Sequence, residues 1–350
     1  MNNMLNNKGN ELEKTLTQKS IYSGRGNESV NLLKAISCII VVFMHCRFPG
    51  AFGSLIAYIF RFPVSIFFMI SGYYCFHKDC IWIKEKSFYI LRLYLLSELF
   101  YGTFNILINA AFRSVMPLEY LSQIVSTRSI IRVVFSEPLF CGPLWYLNSM
   151  FWTWVVLYIA LIHEGKESWE QLFILIPVLF TVALVGRRIW SNDSNIWLYR
   201  NALLYGLPFV LLGAYMHYQQ DKKTKVSDRK ACMFIFISGV LIVAEYLAEP
   251  VIHDFQFSTI MMSIGLFTLA LNHPTLPIKL SFLLHVGAHL SLWIYLGHVA
   301  FRTLVDTFAL NKGLDSNVWF LWSRPIIILF LTIVFSQCMY IIQKSRTKYD

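Results

Sequence analysis

The chain has 350 residues, of which 56% are hydrophobic, 16% aromatic and only 14% charged. Ordinary soluble domains are about one quarter charged, so this composition excludes a soluble multidomain protein, a disordered chain, a coiled coil and a nucleic-acid module. The net charge of +10 then points to basic side chains gathered at one face of a bilayer rather than to nucleic acid.

Residues 1–30 are polar and lack the apolar core of a signal peptide, so they are expected to form a cytoplasmic tail. Ten apolar stretches follow, at about 31–46, 55–76, 88–111, 143–162, 171–186, 200–218, 231–248, 256–271, 288–308 and 324–343. They are continuous rather than alternating, which favours helices over a transmembrane barrel. The expected fold is therefore all-α: a polytopic transmembrane bundle of about ten helices. Residues 31–343 form one membrane domain, and 344–350 form a second short cytoplasmic tail. With the N-terminus inside, the inner segments hold 17 Lys and Arg, 14 of them Lys, whereas the outer ones hold 10, with Lys312 the one Lys. That asymmetry predicts a cell-membrane protein with both termini cytoplasmic. The seven cysteines are scattered through apolar context without a C-x-x-C pair, and single buried thiols are expected.

Ionisable groups inside a membrane are expensive, and each is a functional candidate. The first segment, NLLKAISCIIVVFMHCRFPG, carries Lys34 and His45. Eleven residues apart, they share one helix face and stand about 16 Å apart along the axis. In the second, Ser71-Gly72 interrupts an aromatic run, either as a tight helix crossing or as a ligand contact. The third holds Arg92, which is able to grip phosphate, and Glu98, which is able to orient an imidazole or pair with a cation. Gly142-Pro143 before Trp145 and Tyr146 marks a helix start at the interface. Arg200 opens the next candidate segment, where Pro208 predicts a kink. His285 and His289 are four apart, but no Asp, Glu or Cys completes a ligand set nearby, and no metal centre is expected. His298, in SLWIYLGHVAF, is either a second acid/base group or a hydrogen-bonded core histidine.

Taken together, four elements resemble the integral-membrane acyltransferase family called type three. Lys34-x10-His45 is similar to its Arg-x10-His motif. FFMISGYY at 67–74 resembles its Phe-Phe-x-x-Ser-Gly signature, PLWYL at 143–147 its "LWYL" element, and LWIYLGH at 292–298 its late Tyr-x-x-His segment. RNALLYGLPFVLLG and RFPVSIFFMISGYY also resemble the membrane domain of serine racemases from vancomycin-resistance clusters. The family resemblance implies O-acyl transfer, usually of acetyl, from cytoplasmic acyl-CoA to a hydroxyl of an envelope glycan, exopolysaccharide or lipid-linked sugar. It assigns His45 as the catalytic acid/base and Lys34 to the position of the family's Arg, where Lys keeps the charge but loses the planar fork. In this reading Lys34 and Arg92 meet the phosphates of acyl-CoA. Ser71, Glu98, Trp145, Arg200, Tyr295 and His298 support the substrates or the catalytic group. The expected partners are acyl-CoA, the glycan acceptor and membrane lipids, with no nucleic acid. The competing reading is a transporter of a small polar molecule such as an amino acid. Transporters often show matching halves broken by Gly and Pro, and none are evident here.

Overall fold

The computed structural model describes residues 27–162, 168–190, 193–249, 255–277 and 280–346. Those residues form helices joined by short connections, with no strand among them. In chain order the helices that build the fold are α1 (Glu28–His45), α2 (Gly50–Ile59), α3 (Pro63–Cys75), α4 (Cys80–Arg113), α5 (Pro117–Ile124), α6 (Thr127–Val134), α7 (Trp145–Leu161), α8 (Leu175–Ile189), α9 (Leu207–Asp221), α10 (Asp228–Ala248), α11 (Phe257–Asn272), α12 (Ser281–Lys312) and α13 (Val318–Arg346).

Eight helical segments among the described residues, with α2 and α3 taken as one and α8 extended back to Trp169, are long and apolar enough to cross a membrane. Helix α11, at 16 residues, and α9, at 15, are shorter, and together these account for the ten stretches read from the sequence. Large apolar side chains face outward along the bundle, with Phe236 72%, Leu247 77% and Phe330 64% exposed. In water such a belt would drive aggregation; a bilayer covers it.

Segment ends follow local chemistry. The start of α1 is Glu28, inside the expected polar tail, because the Asn27 side chain caps it by accepting the Val30 N–H at 2.9 Å. Glu28 itself accepts the Leu276 N–H at 3.0 Å, tying this end to the α11–α12 connection. The second stretch is two helices, because Phe62-Pro63 breaks it and Pro63 opens α3. Pro208 produces no simple kink. A π-helical turn, Ala202–Gly206, precedes α9, and Pro208 sits in the first turn of α9, where its missing N–H is harmless. Asn201 caps that turn through the Leu203 and Leu204 N–H groups, both at 3.0 Å. The cysteines are only partly as expected. Cys38, Cys46, Cys75 and Cys141 are buried, whereas Cys232 and Cys338 are exposed on the outer faces of α10 and α13.

The core crossing is α3 against α9, and small residues permit it. A Cβ on Gly72 would lie 1.9 Å from the Val210 carbonyl oxygen, and one on Gly213 would lie 1.9 Å from that of Met69. The two backbones touch reciprocally, with Phe68, Met69, Phe209 and Val210 buried around the contact. Gly72 is thus the tight crossing that the Ser71-Gly72 pair allowed. A similar contact seats the π-helical turn Val286–Leu290 of α12 on α1, where a Cβ on Gly287 would lie 1.8 Å from the Asn31 carbonyl oxygen. These contacts fix α3 on α9 and α12 on α1; α1 also packs directly against α3, and α1, α3 and α12 carry the site.

Candidate active site

His45 ends α1 and is half-buried. Arg302, on α12, donates Nη1–H to the His45 carbonyl at 3.2 Å, which places a guanidinium on the electronegative end of the helix. The His45 ring lies against His298, with centroids 5.2 Å apart and planes inclined by 36°. His298 is fully buried. Its Nδ1 lies 2.7 Å from the Tyr295 carbonyl and 3.2 Å from that of Ile294. Carbonyls only accept, so Nδ1 carries the hydrogen and the neutral ring keeps its lone pair on Nε2. That Nε2 is buried without a hydrogen-bond partner among the described residues, an arrangement that an inert core histidine seldom shows.

Two cavities meet at His45. The first, of about 170 Å³, is lined by Val41, His45, Val64, Phe67, Tyr146 and Leu292, among others. Val41 lies one turn before His45 and Leu292 precedes His298, so this cavity runs from His45 toward the Lys34 end of the bundle. The second, of about 630 Å³, runs the other way and is polar: Asn105, Asn109, Arg113, Gln123, Arg200 and Arg302 contribute to it. His45, Pro143 and Trp145 line both. Tyr295 holds the partition by donating its hydroxyl to the Pro143 carbonyl at 2.7 Å. Trp145 is buried between the Arg200 guanidinium, 4.9 Å from its ring, and Tyr205, whose ring lies edge-on at 5.2 Å. Tyr146 packs edge-on against Phe68 at 4.8 Å and against Tyr295 at 5.6 Å.

The structure therefore brings together His45, His298, Tyr295, Trp145 and Arg200. It does not bring in the others in the same way. Arg92 is exposed on α4 and lines neither cavity; it faces out of the bundle instead of joining Lys34. Glu98 is buried, but its carboxylate accepts the Phe140 N–H at 3.1 Å. It anchors the connection that leads into the Gly142–Leu144 turn and thereby acts on the cavity wall. Ser71 donates to the carbonyl of Phe67, one turn back on its own helix, at 2.9 Å. Lys34 is half-buried near the opposite end of α1 from His45 and has no carboxylate partner among the described residues. His289 is close enough to Lys34, His285 and Lys344 for its charge to interact with each of them. His285 pairs with Gln337 at 2.8 Å and packs edge-on against Tyr340 at 5.2 Å, and with His289 it joins the charges that reach Lys34 and Lys344. Arg302 is a site residue that sequence reasoning passed over. The signal was present: a charge inside an apolar run, one helical turn beyond His298.

Two comparisons bear on these residues. Residues 27–341 match the family described as an acyltransferase domain. The chain is also 28% identical to a serine/alanine racemase of Enterococcus gallinarum over 353 residues, covering 91% of this chain and 46% of that protein. The chain thus spans less than half the length of that relative. No solved structure matches. Both relationships are to enzymes, and neither favours the transporter reading.

Proposed function

The chain belongs to the membrane acyltransferase family, and from that premise we propose that it is an O-acetyltransferase. It moves an acyl group from acyl-CoA, entering at the Lys34 end, to a hydroxyl of a cell-envelope glycan or lipid-linked sugar reached from the other end. The observation that carries this reading is the position of His45 in the wall common to two cavities of opposite character.

Each cavity suits one substrate. Coenzyme A presents phosphates, and Lys34, His289 and Lys344 supply a basic patch without a competing carboxylate at Lys34. The separation of Lys34 from His45, about 16 Å along the helix, is a length that a pantetheine arm spans. Val41, Val64, Phe67 and Leu292 give that arm an apolar channel. On the other side, amide side chains beside the Trp145 face fit a polyhydroxylated ring, which offers both hydroxyls and an apolar face. The lysine bias supports a cytoplasmic Lys34 end in a cell-membrane protein.

The chemistry follows from an imidazole between the two. A sugar hydroxyl is a weak nucleophile until a base takes its proton, and neutral imidazole does this near neutral pH. The hydroxyl oxygen forms a bond to the thioester carbonyl carbon as His45 accepts the proton. The tetrahedral oxyanion collapses, the carbon–sulfur bond breaks, and the leaving thiolate of CoA takes the proton back from the imidazolium. Ester and free thiol are the products, and His45 is regenerated. His298 is a positioning residue: its Nε2 lone pair, set by the Tyr295 carbonyl and unpaired among the described residues, is available beside the His45 ring to receive its N–H once substrate binds and so to fix which nitrogen serves as base.

The test begins with acetyl-CoA turnover by purified protein in nanodiscs. Lys34→Ala is expected to raise KM for acetyl-CoA about tenfold, the loss of one charge-assisted contact, with kcat little changed. Lys34→Arg should stay within a few-fold of the parent, since it restores the charge. A kcat loss with unchanged KM in Lys34→Ala would remove Lys34 from the donor site.

A further inference from the structure

Away from both cavities, at the Lys34 end, two imidazoles and a carboxylate converge. His77 lies in the connection after α3, and His217 and Asp221 are one turn apart near the end of α9. His77 Nε2 is 2.6 Å from Asp221 Oδ2, and His217 Nε2 is 3.9 Å from Asp221 Oδ1. One ligand atom from each residue falls within 4.8 Å of the others.

A second observation concerns the rear nitrogen of His217. Its Nδ1 lies 2.6 Å from the Tyr73 carbonyl oxygen. That carbonyl only accepts, so Nδ1 carries the hydrogen and the Nε2 lone pair is directed to the cluster. The Tyr73 ring stacks on His217 at 4.5 Å and 21°, and its hydroxyl bonds to Gln220. Metal-ligating histidines are held in this manner, with the distal N–H on a carbonyl that fixes the tautomer. The His77 ring stands edge-on to His217 at 4.9 Å and 89°. The neighbouring cations are turned elsewhere: Lys78 lies over Trp82 at 5.9 Å and Lys222 over Tyr218 at 5.3 Å.

We propose that His77, His217 and Asp221 bind one divalent transition-metal ion, for which Zn²⁺ is the best match. Two imidazoles and one carboxylate with an open position are a Zn²⁺ ligand set that water completes. Bonds of about 2.0–2.2 Å in a tetrahedron put ligand atoms about 3.3 Å apart. The 2.6 Å separation needs to open, and the 3.9 Å separation to close, by less than 1 Å. The His77 and Asp221 side chains are 55% and 46% exposed, so an ion has an entry path. Bound there, it staples the α3–α4 connection to the end of α9, on the two helices whose backbones touch at Gly72 and Gly213.

The experiment uses full-length protein purified in detergent without a polyhistidine tag, stripped with EDTA and titrated with ZnCl₂ against a chromophoric chelator. Bound metal is counted by mass spectrometry. About one Zn²⁺ per chain is expected, with affinity reduced at least about tenfold in His77→Gln, His217→Gln and Asp221→Asn, each changing one ligand. Zn²⁺ should raise the thermal midpoint of the parent by about a few degrees and leave the variants unmoved. His77 is exposed outside the helices, so His77→Gln remains informative if a helix variant fails to fold. No retained Zn²⁺, or equal retention by parent and His77→Gln, overturns the proposal and leaves the cluster as an ordinary His–Asp hydrogen bond. Metal content is read without any acyl-transfer assay, so its outcome is separate from that of the proposed reaction.

Discussion

His45→Ala is expected to lower acyl transfer from acetyl-CoA by about 10²–10⁴-fold, the range that a positioned general base contributes. KM for acetyl-CoA should change little, because the proposed phosphate contacts lie at the other end of α1. The protein should also remain folded, since His45 is the last residue of its helix and only half-buried. His45→Gln keeps hydrogen-bonding capacity but cannot take a proton, so it should be as inactive as Ala. His298→Ala should have a smaller effect, about 10–100-fold in kcat, in keeping with a residue that acts through another. Thiol release from acetyl-CoA, measured in nanodiscs with melting curves for every variant, checks all three. A His45→Gln enzyme with parental kcat would remove His45 from proton transfer.

The second large effect is structural. Gly213→Leu should abolish accumulation of monodisperse protein. Even a Cβ at Gly213 would lie 1.9 Å from the Met69 carbonyl oxygen. The obstacle is backbone, which cannot swing aside as the tip of a side chain does, so α3 and α9 must separate by more than 1 Å. That separation loosens buried Phe68, Met69, Phe209 and Val210 together, for a loss of about 3 kcal/mol or more. Gly72→Leu meets the reciprocal obstacle at Val210 and should behave alike. Gly239→Ala, where a new Cβ meets nothing within 4 Å, is the control and should be neutral or slightly stabilising. Size-exclusion yield and thermal midpoint read both. Gly213→Ala protein with parental yield and midpoint would show that this crossing is not what holds the helices.

What was legible in the sequence was whatever a local pattern encodes. Each apolar stretch returned as helix because bilayer-facing segments carry their own signal. The shared face of Lys34 and His45 follows from helical spacing alone. Helices α5 and α6 were not foreseen: they contain Glu119, Arg128 and Arg132 among their apolar residues and bury none of their side chains, so no apolar run announces them. The break before α3 lay in Phe62-Pro63, and the length of the hydrophobic stretch masked it. The site itself is mostly non-local. His45 meets His298 across more than 250 residues, and His77 meets Asp221 across 144; no window of sequence contains either contact. Arg92 and Arg302 are both arginines in apolar runs, and composition could not tell which faces outward and which touches the end of α1. Glu98 was read as a partner for an imidazole or a cation, whereas its use is to hold a backbone N–H.

Acyl transfer past His45, between two cavities that run toward opposite ends of the bundle, is the central proposal. The most direct measurement reconstitutes the protein in vesicles, selects those with the Lys34 end outward, and adds acetyl-CoA labelled in the acetyl group to the outside only, with a sugar alcohol or envelope glycan trapped in the lumen. Free CoA thiol should appear outside while labelled ester accumulates inside, and His45→Ala vesicles should show neither. Labelled ester and free thiol released on the same side, or turnover untouched by His45→Ala, would contradict it.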